Sequence, residues 1–163
     1  MTPDIQIFST GGTIDKLYFD ALSEFQVGAS AIAPLLAEAN VTVDHQLTPL
    51  MRKDSLELTD ADRAAIRAAV EGSASPAILI THGTDTMAVT ARALEGIAGK
   101  TIVLTGAMLP ASQRSSDAAF NVGFAMAAAQ LLPPGVYVAM NGRVFDAAHV
   151  QKDRANNRFV VEG

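Results

Sequence analysis

Cysteine and tryptophan are absent from the 163 residues, and neither an excess of positive charge nor a long apolar run is present. Without Cys there is no disulfide, no thiolate metal site and no cysteine nucleophile. Lys and Arg number 12 against 17 Asp and Glu, a net charge of −5. The basic residues are scattered (Lys16, Arg52, Lys53, Arg63, Arg67) rather than striped, so nucleic acid is not an expected partner. The most apolar stretch, Val122 to Leu132, contains Gly123 and Gln130 and is too short to span a bilayer, so no membrane partner is expected. Asp4 stands just before an apolar run and no cationic segment precedes it. The N-terminus therefore does not read as a signal peptide, and a cytoplasmic chain is expected.

A chain of this length with 49% hydrophobic residues can bury a core as one domain, residues 1–163, without staples. Short β-branched runs (Ile5 to Phe8, Val41 to Leu47, Ala77 to Thr81, Thr101 to Thr105, Val136 to Met140) alternate with helical patterns (Ala31 to Ala39, Thr59 to Val70, Thr86 to Ile97, Ser116 to Leu132). Such alternation predicts an α/β fold, a doubly wound and mostly parallel sheet with helices on both faces. Leu17 to Ser30 has no clean period and reads as a long loop near the site. Its aromatics Tyr18, Phe19 and Phe25 belong either to a lid or to a surface excursion tucked into the core. Ser116 to Leu132 is apolar nearly all round, which a surface helix is not, so contact with another subunit is expected.

Ligands of such sheets bind beyond the carboxyl ends of the strands. There the chain places Thr10-Gly11-Gly12-Thr13-Ile14-Asp15, Thr81-His82-Gly83-Thr84-Asp85-Thr86 and Gly106-Ala107-Met108, with Asp54-Ser55 after the second run. Gly permits close backbone approach and frees N–H groups, and Thr supplies a hydroxyl. Neither Gly-x-x-x-x-Gly-Lys nor Gly-x-Gly-x-x-Gly occurs, which makes nucleotide binding a minor reading. A Thr nucleophile needs a base. His82 is the obvious residue type but reads as a hydrogen-bonded structural histidine, and His45 and His149 have less support. Lys152 qualifies only if desolvated and held by an acid; by spacing alone it is a surface lysine.

Thr10-Gly11-Gly12-Thr13-Ile14 followed by Thr81-His82-Gly83-Thr84-Asp85-Thr86-Met87, each after a strand, resembles the two signatures of bacterial L-asparaginases. Leu104-Thr105-Gly106-Ala107-Met108 with Ser115-Ser116-Asp117 and Asn121 is similar to the family's next block. Met140-Asn141 through Asp146, with Val150 to Lys152, resembles the segment that presents its lysine. The resemblance implies hydrolysis of L-asparagine to L-aspartate and ammonia through an acyl-enzyme, with no cofactor and no metal. It makes Thr13 the nucleophile, groups Thr84, Lys152 and Asp85 as a second triad with Lys152 as base, and assigns Ser55, Asp85, Gly83, Thr84 and Asp54 to the substrate. It also implies a homodimer or homotetramer.

Three departures accompany it. Phe25 falls where the family has a loop tyrosine, and Tyr18 is the nearby substitute. Leu56 stands where many members have a polar residue beside the serine. The chain stops at Gly163, before the family's usual second, smaller domain, and so resembles a short form built from the N-terminal domain alone. Other readings are a catalytically silent amino-acid-binding module, an amidase leaning towards glutamine, and Thr-Gly motifs that merely turn strands into helices.

Overall fold

In the computed structural model, which describes residues 1–163, the chain begins β1 (Ile5–Gly11), β2 (Lys16–Phe19), β3 (Glu24–Val27), α1 (Ile32–Glu38), β4 (His45–Lys53) and α2 (Asp60–Gly72). It continues β5 (Ala77–Thr81), α3 (Met87–Ala93), β6 (Thr101–Thr105), α4 (Ala118–Leu131), β7 (Gly135–Met140), β8 (Arg143–Asp146), β9 (Val150–Asp153) and β10 (Arg158–Val161). Six strands form one sheet in the order β4-β1-β5-β6-β7-β8. All neighbours are parallel except β8, which returns antiparallel beside β7. The fold is the doubly wound α/β class expected.

β1, β5 and β6 are buried at every residue, as continuous apolar strands must be when both faces are covered. One core packs Ile78, Ile80, Ile102 and Leu104 against Ile66 and Val70 of α2, Met87 and Ala91 of α3, and Leu94 just after it. The opposite core packs Ile5, Ile7, Leu79 and Val103 against Ile32 and Leu36 of α1 and Val122, Ala125 and Ala129 of α4. α2 starts where its sequence says: Thr59 Oγ1 accepts from Asp62 N–H at 3.2 Å and Asp62 accepts from Thr59 N–H at 2.8 Å, a reciprocal capping box.

The winding has one reversal. β1 to β4 steps towards one edge with α1 on one face, while β4 to β5 and β5 to β6 step the other way with α2 and α3 on the opposite face. These three crossovers share a hand. β6 to β7 continues in the second direction, yet α4 lies on the face of α1. Its crossover is the mirror of the others, and since such crossovers are almost always right-handed, β6–α4–β7 is the left-handed one.

Several local expectations change. The second strand runs His45–Lys53 rather than Val41 to Leu47. Val41 and Val43 still pack on the core as lead-in coil, and Pro49 is tolerated because β4 is an edge strand. Leu17 to Ser30 is mainly a hairpin, β2 paired with β3, rather than a loop. Its aromatics are exposed rather than tucked in, so no buried face imposed a period. α3 ends at Ala93 instead of Ile97. α4 buries one side only, leaving Phe120 63% and Leu131 82% exposed.

Candidate active site

Because the chain leaves β1 for β4 on one side and β5 leads to β6 on the other, the strand order reverses between β1 and β5. A crevice opens at such a switch point, and both Thr-Gly turns flank it. After β1 the backbone turns through Gly11 (φ 102°) and Gly12 (φ 89°), a region that disfavours residues with a Cβ. A Cβ on Gly12 would also collide with the backbone of Gly83. This contact brings together the two turns, so Thr13, opening the 3-10 turn Thr13–Asp15, and Thr84 follow adjacent glycines. Gly83 in turn has Ser55 against it, at 2.6 Å from where its own Cβ would lie.

Lys152 reaches this junction from β9. Its Nζ donates to Thr84 Oγ1 at 2.7 Å and to Asp85 Oδ1 at 2.9 Å, with its side chain 12% exposed. What reads as a surface lysine by spacing is therefore largely withdrawn from water and held by an acid. Arg154 Nε lies 3.6 Å from the same Asp85 oxygen. Arg92, near the end of α3, donates to the carbonyl of Val150 at 2.9 Å, so the helix that follows Asp85 also holds the strand that carries Lys152.

His82 is fully buried and belongs to a relay with one possible proton arrangement. The Gly83 carbonyl can only accept, so His82 Nδ1, 2.6 Å away, carries the proton. His82 Nε2 then accepts from the Thr90 hydroxyl at 2.8 Å, and Thr90 Oγ1 accepts from Arg63 Nε at 3.1 Å. Burial pushes the His82 pKa down to about 4; the Gly83 carbonyl opposes this and the Arg63 charge adds to it. His82 is thus a neutral structural histidine, as its position implied. The C=O and N–H of a trans peptide unit point opposite ways, so fixing the Gly83 carbonyl turns the Thr84 N–H away from His82. That N–H takes part in no hydrogen bond within the chain.

Ser55 opens a second 3-10 turn, Ser55–Glu57. It is 1% exposed, and its Oγ accepts from Thr86 N–H at 3.3 Å, leaving its own proton to donate. Asp54 pairs with Lys16 at 2.8 Å and caps Leu56 N–H. Burial pushes its carboxyl up, but Lys16, Leu56 N–H and the Lys152 charge outweigh that and hold it below the usual range. Asp117 accepts from the N–H groups of Met108 and Leu109 and from Asn121 and Asn141. Against the upward push of burial, these donors keep it ionised and fix the connection after β6, whose Ala111 N–H reaches the Ile14 carbonyl at 3.1 Å. No group of three or more His, Asp or Glu side chains is placed to hold a metal ion.

The asparaginase family's sequence model, described as "Asparaginase, N-terminal", matches residues 4–162. The chain belongs to the asparaginase family. It is 34% identical over 156 residues to a glutamyl-tRNA(Gln) amidotransferase component of Methanococcus vannielii, covering 88% of this chain and 35% of that one. The solved L-asparaginase of Thermococcus kodakarensis superposes with a TM-score of 0.83 at 28% identity, over 96% of this chain and 50% of the other. L-asparaginase I of Vibrio cholerae superposes with a TM-score of 0.85 at 26% identity, over 99% and 52%. The chain thus spans about a third of that Methanococcus relative and about half of these two structures.

Within this asparaginase-family chain, the residues expected at the site divide in two. Thr84, Asp85 and Lys152 are hydrogen-bonded together; Gly83 packs on Ser55 and on Gly12, which Thr13 follows, and Asp54, next to Ser55, pairs with Lys16. Tyr18 has no hydrogen bond to any of them: it is 51% exposed, and its ring packs across the hairpin on Phe25 with centroids 5.3 Å apart. Arg63, Thr90, Arg92 and Arg154 are the residues sequence reasoning missed. Only Arg154, two positions past Lys152, had any local signal.

Proposed function

We propose that the chain is an amidohydrolase that converts L-asparagine to L-aspartate and ammonia. The observation that carries this is the Lys152 Nζ held between Thr84 Oγ1 and Asp85 Oδ1, beside the Gly12–Gly83 contact that brings Thr13 to the same place. Thr13 Oγ attacks the side-chain amide carbon. Its proton passes by way of Thr84 and Lys152 Nζ to the leaving nitrogen, the C–N bond breaks, and ammonia departs. Water then attacks the Thr13 ester, the carbon–Oγ bond breaks, and the proton released by water restores the hydroxyl. The unpartnered Thr84 N–H is the oxyanion donor, aimed by the His82 relay. Ser55 and Asp85 hold the substrate's α-carboxylate and α-ammonium, with Asp54 and Gly83 shaping the pocket. Fixing both α-groups disfavours glutamine, whose extra methylene displaces the reacting carbonyl. Tyr18 is assigned the activation of Thr13 in place of the family's loop tyrosine, and unchanged turnover in Tyr18→Phe removes it from catalysis.

The likeness to the amidotransferase component favours a second reading that shares the first step, with the nitrogen delivered to an acceptor instead of released. α4 carries no charged residue and exposes Phe120 and Leu131, which supports a homo-oligomer; a monomeric sedimentation coefficient counts against it. The deciding experiment is ammonia release from L-asparagine and L-glutamine by the wild-type chain and Thr13→Ala. Release from asparagine that vanishes in the variant supports hydrolysis by this chain alone. A folded wild type that is thermally stabilised by asparagine yet releases nothing points to a binding module or a missing partner.

A further inference from the structure

A cleft of about 530 Å³ lies not over the Lys152 group but behind the turn that carries Thr13. Leu17 of the hairpin, Pro34 and Leu35 of α1 and Ala119 of α4 give it apolar walls. Of its two carboxylates, Asp15 and Glu38, Asp15 is the buried one. Asp15 is 2% exposed; one of its oxygens accepts from Ala31 N–H at 2.8 Å, while the other meets no donor in the chain and opens on the cleft.

A carboxylate with one oxygen free and reachable from a cleft of ligand size with apolar walls is matched by a donor that brings its own positive charge and a hydrocarbon body. The basic groups around it make no ion pair with it: the Lys16 ammonium is held by Asp54 at 2.8 Å, Arg114 lines the cleft, and the Arg52 charge favours the ionised carboxyl without direct contact. Glu38 adds a second negative charge to the lining. An asparagine at position 15 would serve the Ala31 N–H equally well, so that hydrogen bond does not require the negative charge.

We propose that this cleft is a second binding site, for a small amphipathic amine whose ammonium pairs with the vacant oxygen of Asp15 while its hydrocarbon part lies along Leu17, Pro34, Leu35 and Ala119. Burial of the carboxyl, which raises its pKa to about 6, agrees with a group that lacks its partner. The occupant is tied to the residue two positions after Thr13, and the same turn is fastened to the hairpin by Gly28 N–H on the Asp15 carbonyl at 2.9 Å. Amine binding therefore stiffens the turn that carries Thr13 from behind. The inference does not rest on the proposed reaction, because binding is read without turnover.

The test is thermal unfolding of the whole chain at pH 7.5 in increasing n-butylammonium chloride, at constant ionic strength, with 1-butanol as the neutral control. The wild type is expected to show a saturable rise in midpoint that 1-butanol does not produce, and Asp15→Asn to bind at least tenfold more weakly. Asp85→Asn, which removes the acid beside Lys152, is expected to bind as the wild type does. Equal stabilisation of wild type and Asp15→Asn, loss in Asp85→Asn alone, or no saturable rise in the wild type each overturns the proposal.

Discussion

Replacing Asp15 by Asn is expected to stabilise this protein at neutral pH, the reverse of the usual outcome for a buried polar residue beside a catalytic turn. The amide keeps an oxygen for Ala31 N–H and needs no charge in the interior. Burial raises the Asp15 pKa from 3.8 to about 6, against the opposing effects of the Ala31 hydrogen bond and the Arg52 charge. The folded state therefore holds its proton more tightly than the unfolded chain. The wild type has its full stability below pH 3.8 and loses part of it as pH rises through about 6. At about 1.36 kcal/mol per pH unit, that interval makes about 3 kcal/mol an upper bound on the loss. Urea unfolding of both proteins from about pH 4.5 to about pH 8 reads this directly. The variant's advantage should be small at the acid end, grow through pH 6 and level off above it. An advantage that does not change with pH, or a variant less stable than wild type at pH 7.5, refutes the reasoning.

Thr90→Val removes the link between His82 and Arg63, leaving two buried groups unpaired at about 1–3 kcal/mol each, and should lower the urea midpoint accordingly. The same variant frees the Gly83–Thr84 peptide, so kcat for asparagine should fall while KM changes little. Arg92→Ala releases the Val150 carbonyl and lets Lys152 wander. Because small misplacements are costly, a fall of about tenfold in kcat with nearly normal stability is expected, whereas unchanged kcat would separate Arg92 from the positioning of Lys152. Lys152→Met should lower turnover by about 10²–10⁴, the usual contribution of a general base, with the fold intact by circular dichroism.

The alternation of apolar runs made the sheet legible because β1, β5 and β6 are covered on both faces, and burial of that kind leaves a continuous signature. The β2–β3 hairpin left none, since its strands have no buried face; nor did β9, whose Val150 is buried while Gln151 is exposed. At the site, Thr13, Thr84 and Asp85 stand in turns marked by glycine and could be read from the order of motifs. Lys152 could not be read from spacing, because what withdraws it from water is a pairing across 67 positions of sequence. The relay of Arg63, Thr90 and His82 was out of reach for the same reason, its members lying on α2, α3 and the end of β5.

The mirror-image crossover settles how four helices divide between two sides of a sheet. Had β6 been joined to β7 in the ordinary hand, α4 would have lain beside α3, giving three helices to one side and one to the other, with Val103 and Ala139 facing water. The reversal makes the shares equal. It also obliges the Gly106–Asp117 connection to pass across the end of β1, where Ala111 meets Ile14. The same detour that balances the layers thus supplies the roof of the Thr13 turn, and a variant that shortened it would trouble fold and chemistry together.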